Sequence, residues 1–446
     1  MMAYIKASLL ALHIFVAASL SAGAAFAQDA GQAGLKAGAG MVDITPAVEH
    51  LPKPLTSIHD HIFARALIVE SGGQRAVIAV AEVPAIAADI YGALVQQISD
   101  QFHVPVTQVM LGTTHTHNSL RVSPPGNSPI PTSETFTAAV KAGVIEAIRK
   151  AEADLQPARS GYDSGSVSLV LGRDEWSKKQ HRYIDGIDRT GLEAVDQTLG
   201  VHKFESLDGR PIAVVLNYGI EPVVYEPAKT EISGDVPGVT SRYIEDALGG
   251  KAVALFTVGS PATPAYRVWF DEDPSRTAKT AERIMDAMGV ILGEEALARM
   301  SRIESSDAAL PIFAVSDSLT CPGKQTTPRN LRTMCAYTEG SELPACDFVD
   351  APFNDVTLTM GVLRLGDVAY VTADGNVVPR LWDKLRLTSP LKNTLFVGTN
   401  FGPFRFVVDD AAYALRTYPA TDTRAAVGCA EQGFLSGALG LIEQSR

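Results

Sequence analysis

The chain has 446 residues, 46% of them hydrophobic, and 38 Lys and Arg against 50 Asp and Glu give a net charge of -12. That length allows one large domain or two or three smaller ones with a sizeable core. The acidic balance, with no basic stripe to reverse it, speaks against nonspecific binding to nucleic acid or anionic lipid.

The chain opens with Lys6, an apolar run over 7–20 and the small-residue end Ala25-Phe26-Ala27. This pattern predicts a secretory signal peptide over 1–27 and a mature chain starting at Gln28, in a periplasm or outside the cell. The run is short for a bilayer span of ~20 residues, and no later segment is long and apolar enough for one. Residues 28–40, rich in Gly and Ala, read as a loose leader. Strands are predicted over 64–70 and 75–81 around the turn Ser71-Gly72-Gly73, and a helix over 87–101. A short strand over 108–112 runs into Thr113-Thr114-His115-Thr116-His117. Residues 122–133 read as a loop, 135–155 and 277–300 as amphipathic helices. Residues 212–216 and 252–258 read as buried strands, and 356–365 and 368–372 as a strand pair turned by Gly366-Asp367. A last helix is expected from about 425. The alternation of strands and helices gives an α/β class, a mixed sheet with flanking helices, and a single domain over 28–446.

The four cysteines are Cys321, Cys335, Cys346 and Cys429. Three fall in a stretch near 305–355 that reads as a loop-rich, disulfide-bearing insertion. In an oxidising compartment two disulfides are expected, with three pairings open. No CxxC or zinc-cluster spacing occurs.

The strongest chemical signal is His115-Thr116-His117 at a strand end, since alternate residues of an extended segment share a face and two imidazoles can begin a metal site. His59 and His61 alternate in the same way. Asp235 reads either as a partner that orients a histidine or as a loop cap. Ser260 lies in Gly-Ser-Pro, not in a nucleophile elbow. The run Asp271-Glu272-Asp273 reads as a solvated turn, and Trp176 with the loop around Arg173 as a border of a substrate cleft.

The stretch Gly112-Thr113-Thr114-His115-Thr116-His117 resembles the GTHTHSGP-type motif of the neutral/alkaline non-lysosomal ceramidase family. Residues 37–46, 58–66, Asn217-Tyr218-Gly219-Ile220-Glu221-Pro222, 232–238 and 410–419 resemble further family segments in the same order. The resemblance runs from about Lys36 to the C-terminus and implies the family's α/β catalytic domain, without the C-terminal immunoglobulin-like domain of many relatives. It implies zinc held by two histidines, a glutamate and a tyrosine, and hydrolysis of the amide of a lipid such as ceramide. His115 matches the first histidine. The second position falls on Glu221, the glutamate on Asn376 and the tyrosine on Phe406, so three of four ligand positions are substituted. Thr263 stands where the family has a serine. The expected metal residues are therefore His115, Glu221 and Asn376, with Asp374 as a substitute ligand, and His117, Asp235 and Thr263 as catalytic residues. The expected partner is a small-molecule or lipid substrate. Three functions follow: a hydrolase of an amide or ester with a rebuilt zinc site, a metal-free pseudoenzyme that binds a ligand, or a non-hydrolytic enzyme on the same scaffold.

Overall fold

The computed structural model describes residues 34–124, 131–178, 182–191, 193–226, 228, 230–267, 274–326 and 350–446. The predicted signal peptide, Cys335, Cys346 and the run Asp271-Glu272-Asp273 lie outside the described residues. The N-terminal half holds β1 (Lys36–Asp43), β2 (Ser57–Ile58), β3 (Phe63–Ser71), β4 (Gln74–Ala81), α1 (Ala88–Phe102), β5 (Val109–Thr113), α2 (Glu134–Ala153), β6 (Gln156–Ser166), β7 (Val170–Ser177), β8 (Arg182–Asp188), β9 (Thr198–Ser206) and β10 (Pro211–Ile220). There follow β11 (Glu231–Ile232), α3 (Asp235–Ala247), β12 (Val253–Pro264), α4 (Pro274–Met300), β13 (Ile312–Lys324), β14 (Pro352–Leu365), β15 (Val368–Ala373) and β16 (Asn376–Val377). The chain ends with α5 (Pro379–Thr388), β17 (Asn393–Gly398), β18 (Phe406–Val407), α6 (Asp410–Leu415), α7 (Tyr418–Asp422) and α8 (Ala430–Gln444).

Ten strands form a mixed sheet in the order β5-β4-β3-β1-β6-β9-β10-β12-β7-β8, and four more form the sheet β13-β14-β15-β17. Period-two patterning explains how these stack. Along β3, Leu67 and Val69 face Leu363, Leu365, Val368 and Tyr370 of the smaller sheet. Their neighbours Ala66 and Ile68 face the helices, packing with Leu94 and Ile98 of α1 and Val140 and Ile148 of α2. The far half of the large sheet buries Leu216, Phe256 and Val258 against α3 and α4, through Ile244, Met285 and Leu292. The smaller sheet turns Ala369, Val371 and Ala373 to Leu381 and Trp382 of α5 and Phe434 and Leu441 of α8. The order is helices, large sheet, small sheet, helices, as an α/β chain with apolar strand faces requires.

Local chemistry sets the joints. Gly72 and Gly73 take φ of 58° and 78°, which the two-residue hairpin turn between β3 and β4 demands. Ser133 accepts a hydrogen bond from the Phe136 N–H and starts α2. Three expectations are corrected. Residues 36–43 form a paired strand, not a loose leader. Residues 312–324 form a strand within the expected loop-rich stretch, so Cys321 sits on β13. The last helix starts at Ala430, five residues later than read. No helix of the described residues is long and apolar enough to cross a membrane.

Candidate functional site

The site forms where β5 and β10 run out, since both strands end just before a residue that carries chemistry. β12, the parallel neighbour of β10, also touches β3, β4 and β5, so the large sheet curls and brings the two strand ends together. The loops are then tied directly: the His117 N–H donates to the Pro222 carbonyl at 3.2 Å, the His115 N–H to Val83, and the Glu221 N–H to Ala262 at 2.9 Å.

His115 takes φ of 59°. The backbone is therefore left-handed at this point, a conformation held only where surrounding structure over-determines it. The two imidazoles do not converge by strand alternation, as the sequence suggests, because the strand stops at Thr113. The kink at His115 re-aims them instead, with ring centroids 5.3 Å apart. His115 Nε2 lies 3.4 Å and His117 Nε2 3.6 Å from Glu221 Oε1. The His115 Nδ1–H donates to the Pro84 carbonyl at 2.7 Å. A carbonyl only accepts, so Nδ1 carries a proton and Nε2 is the nitrogen turned toward Glu221. His117 Nδ1 faces Glu226 Oε1 at 3.5 Å.

The charges alternate outward from Glu221. The Arg173 guanidinium lies 4.0 Å from Glu221 Oε2 and 3.5 Å from Asp185, and Arg267 holds Glu226 at 2.7 Å. Burial works against the Glu221 charge, yet Arg173 and the two histidines hold its carboxyl well below the usual range. Burial also opposes a charge on His117, but Glu221 and Glu226 together raise it to about 9. Its side chain is 34% exposed, which softens that pull. Glu226 itself is half-buried, and His117 and Arg267 hold it down near 2.

His115, His117 and Glu221 fit a divalent metal. Each offers one ligand atom, and all three atoms lie within 4.8 Å of one another. Glu221 Oε2 is buried with no hydrogen-bond partner. Two imidazole nitrogens and a carboxylate are a donor set that divalent zinc-type ions take.

The other expected site residues fall elsewhere. Asn376 lies on β16 in register with Phe406 on β18, so these two substituted positions sit side by side. The Asn376 amide nitrogen is buried without a partner and bonds to none of the three donors. Phe406 packs under the Arg173 guanidinium at 5.3 Å, and Phe401 bridges from Phe406 to His115. Asp374 turns away, accepting from the Thr359 N–H at 2.8 Å. Thr263 is fully buried on β12, and its hydroxyl has no partner. Asp235 makes no hydrogen bond to a histidine, though the nearby His117 favours its charge: its oxygens accept from the backbone N–H groups of Tyr225 and Val236 at 2.9 and 2.6 Å, a cap on the loop that carries Glu226. Burial raises that carboxyl to about 6. Ser260 donates to the Val377 carbonyl at 2.7 Å, which ends any nucleophile role. His59 and His61 lie beyond the two-residue β2, not along a strand; His59 rests on Tyr225 and His61 pairs with Asp43 on the surface. Arg173 sits on a strand, at a bulge of the β7–β8 pair, not on a loop. Reading from sequence missed Glu226, Arg267 and the Pro84 carbonyl. A second glutamate five residues beyond Glu221 was the available signal for the first.

The family model for neutral/alkaline non-lysosomal ceramidase, N-terminal, matches residues 36–264. Neutral ceramidase B of Dictyostelium discoideum is 26% identical over 254 residues, 51% of this chain and 34% of that protein. The chain thus spans about a third of the length of that relative. Among solved structures, the neutral ceramidase from Pseudomonas aeruginosa superposes with a TM-score of 0.70 at 17% identity, covering 92% of this chain and 75% of that one. A ceramidase complexed with C2 superposes with a TM-score of 0.71, also at 17% identity, covering 92% and 76%. At these identities the structures speak to fold, and the fold agrees.

Proposed function

Because the chain belongs to the neutral/alkaline non-lysosomal ceramidase family, we propose that it is an exported hydrolase that cleaves the amide bond of a ceramide-type lipid, with zinc held by His115, His117 and Glu221. The observation that carries this reading is the convergence of those three ligand atoms within 4.8 Å. Zinc in such a site supplies Lewis acidity and lowers the pKa of water toward neutrality. The chain's own residues prepare the site. Pro84 fixes the tautomer of His115 through Nδ1, and Glu226 anchors His117 from behind in the same sense. Arg173 favours the ionised form of Glu221, while its own charge competes with a cation for that carboxylate. The open edge of His117 faces solvent, where it can reach a substrate.

A metal-free reading has one observation in its favour. The Arg173 guanidinium already neutralises Glu221 from 4.0 Å, and Asn376 and Phe406 supply neither a carboxylate nor a phenol. One experiment separates the two: metal analysis of the chain from Gln28 onward, untagged and grown with zinc, alongside fatty-acid release from an N-acylsphingosine. The hydrolase reading expects about one zinc per chain, with both metal and turnover lost in His115→Ala. Absence of metal, or turnover that survives His115→Ala, refutes it. Export is checked separately, by N-terminal sequencing of the secreted protein, which is expected to begin at Gln28.

A further inference from the structure

On the outer side of Arg173 lies a cavity of about 540 Å³, distinct from the histidine cluster. Its volume falls within the ~300–1,000 Å³ of small-molecule sites. Trp176 and Tyr183 form one wall as an edge-to-face pair with centroids 5.2 Å apart, and Trp176 is 49% exposed. Asp174, two residues before Trp176 on β7, also lines the cavity, with Glu193, Arg380 and Thr417.

The polar wall is built, not incidental. Asp174 is 92% buried by its 8% exposure, and its Oδ1 has no hydrogen-bond partner. Such an orphan costs free energy unless something else satisfies it. Glu193 is held against β7, accepting from the Asp174 N–H at 3.0 Å. It can approach that closely because residue 172 is glycine: a Cβ there would sit 2.3 Å from Glu193 Oε2. Arg380 is held in turn by Asp409 at 3.0 Å. Burial, then the nearby Glu193, raises the Asp174 carboxyl to about 8. Burial raises the Glu193 carboxyl as well, so the pair favours holding a proton between them, a donor next to an acceptor.

We propose that this cavity binds a neutral, polyhydroxylated ring, a sugar, with its apolar face on Trp176 and its hydroxyls on Asp174, Glu193 and Arg380. The lining decides between classes of ligand. Among the described residues, four carboxylates and three cationic side chains line the cavity, so neither a cation nor an anion gains a consistent field from them. Adjacent donors and acceptors suit vicinal hydroxyls, each of which both gives and takes a hydrogen bond. A half-exposed tryptophan offers the flat apolar surface that a ring of C–H groups covers.

The test uses the full chain and ligand-observed NMR with methyl glycosides of glucose, galactose and N-acetylglucosamine, with lactose, and with choline as the cationic comparison. The expected result is saturable binding of at least one glycoside, weakened about tenfold or more in Asp174→Asn and in Trp176→Ala, and unchanged in His115→Ala. Trp176 is surface-facing, so its variant keeps the test valid if Asp174→Asn fails to fold. Binding of none of the glycosides, tighter binding of choline, or glycoside binding that survives Trp176→Ala overturns the proposal. None of these outcomes bears on the metal reading, because no arm measures turnover or metal.

Discussion

Arg173 is a buried cation between two carboxylates, capped by the rings of Phe406 and Tyr418 at 5.3 and 5.7 Å. It reaches this place because the β7–β8 pair shifts register between Gly172 and Asp174, and a bulge re-aims a side chain that strict alternation would send elsewhere. Breaking a buried ion pair from one side leaves the other charge stranded. Arg173→Met is therefore expected to lower the unfolding free energy by roughly 3 kcal/mol, read by denaturant titration. Added zinc is expected to restore part of that loss, so the rise in Tm with zinc should be larger in Arg173→Met than in the parent. An equal or smaller rise would show that the guanidinium and a metal do not compete for Glu221. The same residue marks the limit of reading the site from sequence. His115 and Glu221 were legible from motifs beside strand ends. Their meeting depends on a left-handed kink at His115 and on the curl of the sheet, and Arg173 on a bulge, none of which leaves a local pattern.

At the level of elements, His202 on β9 and Tyr370 on β15 form a bond across the two sheets, His202 Nδ1 to the Tyr370 hydroxyl at 2.9 Å. His202 is fully enclosed there, and burial lowers it from 6.5 to about 3. Between those values the unfolded chain takes up a proton that the folded chain refuses, so stability is complete above pH 6.5 and falls as pH drops. The slope is at most about 1.4 kcal/mol per pH unit. From pH 6.5 to 5.0 the parent is expected to lose about 2 kcal/mol more than His202→Gln, which keeps a polar partner for Tyr370 without titrating. Matching losses in the two proteins would mean that the interface opens before His202 resists protonation. The elements themselves were legible where pattern and packing agree. The β3–β4 hairpin announced itself by two apolar runs around the turn Ser71-Gly72-Gly73. β1 did not, because Gly38 and Gly40 lower its strand propensity. They are there for α2: a Cβ on either would lie 2.2 Å from the carbonyl of Ala151 or Ala147. β13 was hidden because it is the edge of its sheet and shows solvent a polar run, Ser316 to Thr320.

Across the whole molecule, the helix–sheet–sheet–helix stack needs its outer layer fastened, and the fastening is covalent. Cys321 on β13 is bonded to Cys429, the residue before α8, across 108 residues of sequence. The sequence left this pairing among three, since spacing alone says nothing about which segments a sheet edge and a distant helix bring together. The stack itself was only half legible: apolar strands predicted a mixed sheet with helices, but the division into two stacked sheets follows from which strand faces meet, as with Leu67 and Tyr370. A crosslink that closes so long a loop acts chiefly on the unfolded chain, and a loop of about 100 residues corresponds to about 4.7 kcal/mol. The double variant Cys321→Ser, Cys429→Ser is therefore expected to lose about 4 to 5 kcal/mol, seen as a lower denaturant midpoint with a steeper slope, since the uncrosslinked unfolded chain exposes more surface. The loss should fall on the layer formed by α8 and the smaller sheet, so hydrogen exchange in β14 and α8 should quicken before exchange in β3 and β10. A loss below about 1 kcal/mol, or uniform quickening through both sheets, would mean that Phe434 and Leu441 hold α8 in place by packing alone.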